Sequence, residues 1–228
     1  MGSFEEFQTW GSTHYIIEPD SHISVQTSKG QINIFTNPYF GRMLFIDGVL
    51  QSSEKDEKLY HQTLVQYANP KGRVLIAGGA EGAVAREVFT LSSNISKVVM
   101  VDWDKELIEL MHKEVFCQGV FENPLLEVIN EDIMKYLNVS CDYYDSIIID
   151  LLDPHTEDDI HFLSAVCILS SIRLQIGGTI VLNAGGNYDI MNRLMQIIQY
   201  GTLCKIEYKV MFIPSFQELW YLIRICRV

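Results

Sequence analysis

The chain has 228 residues, 48% of them hydrophobic and 20% charged, with 17 Lys and Arg against 29 Asp and Glu. This composition excludes a disordered or collagen-like chain, and the net charge of −12 excludes a basic nucleic-acid module or a partner for anionic lipid. Five cysteines without a Cys-x-x-Cys pair argue against a disulfide framework or a zinc site. With no signal-peptide pattern in Met1 to Ser12 and no apolar run long enough to cross a bilayer, a cytoplasmic protein without membrane contact is expected.

In chain order, the first 55 residues read as β. His22 to Gln26 and Gln31 to Thr36 flank the hairpin signal Ser28-Lys29-Gly30, and Met43 to Ile46 is closed by Asp47-Gly48 before Val49-Leu50-Gln51 resumes. Residues 1–55 are therefore expected to form a small antiparallel domain and 56–228 a second domain. Asp56 to Ala68 turns helical, with Leu59, Thr63, Leu64 and Tyr67 at three- and four-residue spacing, until Asn69-Pro70-Lys71-Gly72.

Beyond Arg73 strands and helices alternate. Strands are predicted at 74–77, 98–101, 126–129, 146–149 and 179–182, with helices at 83–91, 105–114, 133–137, 160–174 and 188–200 after them. Two last strands are predicted near 205–212 and 219–225. Near-continuous apolar strands, each followed by a helix, imply a parallel sheet covered on both faces. The predicted fold class is α/β, a doubly wound sheet behind a small β domain.

In such a sheet ligands bind outside the carboxyl ends of the strands, and here those ends are acidic. The first strand is followed by Gly78-Gly79-Ala80-Glu81-Gly82-Ala83, the second by Asp102-Trp103-Asp104, the third by Glu131-Asp132 and the fourth by Asp150-Leu151-Leu152-Asp153-Pro154. One acid there could cap a helix; acids at all four point to a site. The glycine turn has Gly78, Ala80 and Ala83 where a dinucleotide fingerprint needs three glycines, and it lacks the Gly-Lys-Ser/Thr of a P-loop. A carboxylate inside the turn would repel a pyrophosphate, so a ligand with a ribose and a positive charge fits better. Asp102 is placed to accept hydrogen bonds from ribose hydroxyls. Asp132 would then face the adenine amino group of a nucleoside sulfonium.

The stretch Gly41-Arg42-Met43-Leu44-Phe45-Ile46-Asp47-Gly48-Val49-Leu50-Gln51 resembles the signature G-R-x-L-x-x-D-G-x-x-Q of the spermidine synthase (polyamine aminopropyltransferase) family. Asp56-Glu57-Lys58-Leu59-Tyr60-His61 is similar to its D-E-x-x-Y-H, and Gly78 to Val88 to its G-G-G-D-G-G-x-x-R-E-V. Asp150-Leu151-Leu152-Asp153-Pro154 is similar to its D-S-x-D-P, and a weaker echo follows at Ile213 to Phe216 and Trp220. Order and spacing agree from about Gln31 to Pro154, and the chain resembles a divergent, short member.

The resemblance implies a Rossmann-like sheet of the S-adenosylmethionine-methyltransferase type. It also implies aminopropyl transfer from decarboxylated S-adenosylmethionine to a small cationic amine, without a metal, by a homodimer. Carried over by position, Gln31, His61, Gly78, Gly79, Glu81, Asp102, Asp132 and Ile133 would hold the donor, and Asp150, Tyr60 and Asp153 would serve the reacting end. Intact S-adenosylmethionine with methyl transfer is the alternative, and a non-catalytic relative a third reading. Glu81 favours the decarboxylated donor, because an acid there pairs with its terminal ammonium and would partly repel the carboxylate of the intact one.

The departures fall where the acceptor would bind. Leu151-Leu152 replaces the Ser/Thr after the catalytic Asp, and His155-Thr156-Glu157-Asp158-Asp159 replaces a Gly-Pro segment. Asn183 stands in place of a Gln, and Phe216 in place of a late Tyr. Glu157-Asp158-Asp159 reads as a solvated helix start. His14, His22, His112 and His161 read as isolated histidines, and Trp103 as either an adenine stack or a filler of the sheet edge.

Overall fold

In the computed structural model, residues 4–7, 14–17, 20–113 and 119–227 are described. Cys117 and Glu114, the expected end of one helix, lie outside them. The chain divides into two compact units, Met1–Tyr60 with Phe212–Glu218 and His61–Met211 with Leu219–Val228. The division falls five residues beyond the expected boundary at 55, inside a helix, and residues 212–218 join the first unit.

The first unit is antiparallel β. Strands β1 (Phe4–Phe7) and β2 (His14–Ile17) pair with each other, and β3 (Ser21–Gln26), β4 (Gln31–Asn37), β5 (Gly41–Ile46) and β6 (Val49–Ser53) form a four-stranded meander. The β5–β6 turn shows why Asp-Gly was a reliable signal. Asp47 and Gly48 both take positive φ (50° and 78°), the backbone a tight hairpin needs to match strand twist. The inward residues Phe35, Met43, Phe45 and Leu50 make a small core to which Phe40 and Phe216 add. In the same unit Ser215 N donates to Asp56 Oδ2 at 2.6 Å, just before the first turn of α1 (Glu57–Ala68).

The second unit is the doubly wound sheet. Its strands are β7 (Gly72–Gly78), β8 (Ile95–Asp102), β9 (Leu126–Asn130), β10 (Tyr144–Asp150), β11 (Leu174–Asn183), β12 (Lys205–Ile213) and β13 (Glu218–Cys226). They lie in the order β12-β13-β11-β10-β7-β8-β9. From β9 to β11 every pairing is parallel, and β13 runs antiparallel to β11. The helices between them are α2 (Ala83–Leu91), α3 (Lys105–Lys113), α4 (Ile133–Val139), α5 (Glu157–Ile172) and α6 (Tyr188–Gly201).

Alternation along the strands gives each face its own core. Leu75, Val99, Ile147, Ile149, Ile180 and Leu182 pack with Ile133, Leu137, Leu163, Val166, Met191 and Leu194 of α4, α5 and α6. The intervening Ile76, Met100, Ile148 and Val181 are equally buried, so both faces are covered.

Two predicted boundaries shift for identifiable reasons. β11 begins at Leu174, five residues before the expected start at 179 and ahead of the Gly177-Gly178 pair. Its partners on β10 jump from Tyr144↔Leu174 to Ser146↔Thr179, so the glycines form a bulge inside the strand. A Cβ on Gly178 would lie 2.9 Å from both the Asp145 and Gln175 carbonyl oxygens. α5 begins at Glu157, three residues earlier than predicted, because Thr156 and Asp159 form a reciprocal capping box. Glu157 and Asp158 are exposed there, as a solvated helix start requires.

Candidate active site

The order of the sheet reverses between β7 and β10, and the strand ends beside that point carry the candidate residues. Gly78, the last residue of β7, is paired with Asp150, the last of β10. A Cβ on Gly78 would collide with the main-chain oxygen of Asp150, and φ is +85°. Only glycine lets the two strands end side by side while the chain turns away. Gly79 and Gly82 also take left-handed φ, 80° and 81°, and Gly82 N donates to Gly79 O at 2.8 Å. The turn delivers the chain directly into α2.

Asp102 closes the other side of this turn from the end of β8. Its two carboxylate oxygens accept from Ala80 N at 3.3 Å and Asp104 N at 2.9 Å. Burial pushes its carboxyl up to about 6; the two backbone hydrogen bonds work against that, and the charges of Asp104 and Asp150 add to it. Asp104 is itself buried and caps α3 through Leu107 N at 2.9 Å. Glu81, inside the turn, is held by His61 of α1, Nε2 to Oε1 at 3.0 Å, with both side chains largely buried.

Asp132 is the N-cap of α4 and accepts from Lys135 N at 2.9 Å, while its neighbour Glu131 pairs with Lys135 Nζ at 2.6 Å. Ile133 lies in the core below, 4% exposed. Trp103 is 60% exposed, so it does not fill the sheet edge.

Asp150 is half-buried at the end of β10, and a six-residue connection leads from it to α5. Within that connection Asp153 Oδ1 accepts from Asn183 Nδ2 at 2.8 Å. Asn183, the last residue of β11, accepts in turn from Trp220 Nε1 at 2.8 Å and Gly185 N at 3.1 Å. Asp159 Oδ2 accepts from His155 N at 3.0 Å and Thr156 N at 2.8 Å, tying down the end of the connection. Burial lowers the His155 pKa, with the Asp159 charge opposing it.

The second unit thus brings Gly78, Gly79, Glu81, His61, Asp102, Asp150 and Asp153 to one rim of its sheet, with Asp132 at the next helix start. Gln31 and Tyr60 belong to the first unit. There Gln31 Nε2 donates to Ser24 Oγ at 2.7 Å, and Tyr60 is half-buried on α1.

Two residues of this rim were missed as site components. Asn183 reads in sequence as the loss of a longer amide, and Trp220 as a weak echo. The available signal was position, because Asn183 ends a strand just as Gly78, Asp102 and Asp150 do. No helix of the described residues is long and apolar enough to cross a membrane.

Comparison with known proteins agrees with this architecture. Residues 53–228 match the spermine/spermidine synthase domain. A polyamine aminopropyltransferase of Pyrobaculum calidifontis is 33% identical over 222 residues, 90% of this chain and 76% of that protein. Another, of Saccharolobus islandicus, is 40% identical over 194 residues, 79% of this chain and 64% of that protein. Polyamine aminopropyltransferase 2 of Pseudomonas aeruginosa is 45% identical over 121 residues, 50% of this chain and 34% of that protein. The chain thus spans from a third to just under two thirds of the length of the last two.

Among solved structures, spermidine synthase from Thermotoga maritima superposes with a TM-score of 0.85 at 21% identity, covering 100% of this chain and 80% of that one. A spermidine synthase in complex with the transition state analogue AdoDATO superposes with a TM-score of 0.87 at 23% identity, covering 99% of this chain and 80% of that one. These likenesses establish the Rossmann-like fold. With the match over 53–228 and the 33% identity along nine-tenths of its length, the chain belongs to the spermine/spermidine synthase family.

Proposed function

We propose that this protein transfers an aminopropyl group from decarboxylated S-adenosylmethionine to a small cationic amine. The observation that carries this reading is Glu81, a carboxylate held by His61 inside the glycine turn and next to the Asp102 strand end. An acid in that place opposes a pyrophosphate or a donor carboxylate and pairs with a terminal ammonium. In this reading Asp102 accepts from the ribose hydroxyls, Gly78 and Gly79 let the main chain approach the donor, and Asp132 and Ile133 meet the adenine. His61 completes the donor contacts.

The donor supplies an electrophilic carbon and a sulfonium leaving group. The amine nitrogen forms the new C–N bond as the C–S bond breaks, leaving a neutral thioether, and the amine proton passes to Asp150. A carboxylate with an ordinary pKa near 4 cannot fully deprotonate an alkylammonium near 10 in the ground state. Asp150 therefore orients the amine and takes the proton as the new bond forms. Asp153 holds another part of the acceptor. A homodimer and a cytoplasmic location are part of the same proposal and rest on the family likeness alone; sedimentation and fractionation test them.

The test is mass spectrometry of products from parallel incubations with decarboxylated and intact S-adenosylmethionine, each with a panel of amines. An aminopropyl adduct only from the decarboxylated donor is expected. A methyl adduct only from the intact donor would overturn the role of Glu81, and no adduct from either would overturn the activity.

A further inference from the structure

The carboxylate of Asp153 is placed by a side-chain chain that runs back into the core. Asn183 and Trp220 are each 6% exposed. Asn183 Oδ1 receives two donors, Trp220 Nε1 at 2.8 Å and Gly185 N at 3.1 Å, which occupy both of its acceptor positions. That assigns the two ends of the amide, because only Nδ2 can then face Asp153.

The main chain behind these groups is fixed as well. Ala184 N donates to Tyr221 O at 3.0 Å and Tyr221 N to Gly185 O at 2.9 Å, extending the β11–β13 pairing past the end of β11. Pro154 packs on Gly185, where a Cβ would lie 3.1 Å from Pro154 Cδ.

We propose that Asn183, oriented by Trp220, is a positioning residue that sets the Asp153 carboxylate for the acceptor amine and makes no contact with that amine itself. The proposal rests on the aminopropyl-transfer reading. Its chemistry is that of preorganisation. Asp153 sits in a short connection, and an amide N–H held on one of its oxygens aims the carboxylate before the amine arrives. An amide whose oxygen is filled by two protein donors has no acceptor left for an ammonium. Recognition of the amine on this side therefore passes to Asp153.

The test is steady-state kinetics of the full chain with decarboxylated S-adenosylmethionine and 1,4-diaminobutane or spermidine, whichever reacts. Trp220→Phe keeps the ring and removes the N–H, and is expected to raise the acceptor KM roughly tenfold while the donor KM stays within about twofold. Asn183→Asp sets a second carboxylate against Asp153 and is expected to raise the acceptor KM on the order of a hundredfold. The exchange Asp153→Asn with Asn183→Asp keeps a hydrogen bond in the reverse sense, so it should fold and bind donor yet leave the acceptor KM high.

A fall in thermal stability with both KM values moving together would overturn the positioning role, as would a double exchange that restores the acceptor KM. If wild-type protein forms no adduct, the activity reading fails separately. Hydrogen exchange of the Trp220 indole N–H then decides the relay. Slow exchange in wild type and faster exchange in Asn183→Ala supports it, and equal rates overturn it.

Discussion

On the side of β7 and β8 the rim is made of main chain, whereas on the side of β10 and β11 it is made of side chains bonded to one another. The first side depends on three left-handed glycines and on Asp102 gripping two backbone amides. The second depends on Asp153, Asn183 and Trp220, which are 30 and 37 positions apart along the chain. At Gly78 the main-chain side tolerates no added atom, since the wall there is the Asp150 carbonyl. A side-chain site can be retuned by one substitution without moving a strand. The motif resemblance drawn from the sequence covers the main-chain side more fully, and the departures noted there fall on the other.

The largest expected effect tests the main-chain side. Gly78→Ala puts a Cβ into the Asp150 carbonyl at a φ that disfavours alanine, and is expected to cost roughly 3 kcal/mol or more and to abolish activity. Gly79→Ala has the same φ penalty but its nearest neighbour would be the Ile76 Cγ2 side-chain atom at 3.1 Å, so it should be the milder of the two in chemical denaturation. Equal losses would mean that φ alone matters and the close approach does not.

Next is Asp150→Asn, expected to lower kcat by about a thousandfold while donor binding by calorimetry stays near wild type. A matching loss of donor affinity would show that the two sides cannot be separated.

The pH dependence of Asp102 gives a smaller effect with a definite sign. Its carboxyl is raised by burial from 3.8 to about 6 in the folded chain. Between those values the folded state keeps a proton that the unfolded state has lost, so this group's contribution to stability declines as pH rises from about 4 to about 6. In the proposed donor pose the ionised carboxylate accepts from the ribose hydroxyls, so donor affinity should fall as pH drops through about 6. Calorimetric titration of donor from pH 5 to 8 on the order of one-unit steps, beside thermal melts, checks both directions. Asp102→Asn should flatten the stability trend and weaken donor binding.

The smallest effect is on the side-chain side. Thr156→Ala removes the capping box of α5 and should cost about 1 kcal/mol in thermal unfolding, with little change in the donor KM. A larger change in acceptor KM than in stability would tie the start of α5 to Asp153.

Sequence alone determined the alternation of strands and helices, the glycine turn and the acidic strand ends. These follow from local rules: the apolar period of each element, the positive φ open to glycine, and the exit of parallel strands at one edge. It determined the Asp47-Gly48 hairpin for the same reason. Tertiary structure alone decided that Gly177-Gly178 bulges within β11, because the neighbouring strand sets that register. It also decided that Asp132 spends one oxygen on capping α4, and that the Asn183 amide turns its nitrogen to Asp153. Which way this short polar side chain faces depends on a donor two residues on and on partners 30 and 37 positions away, and no periodicity in the chain encodes their meeting.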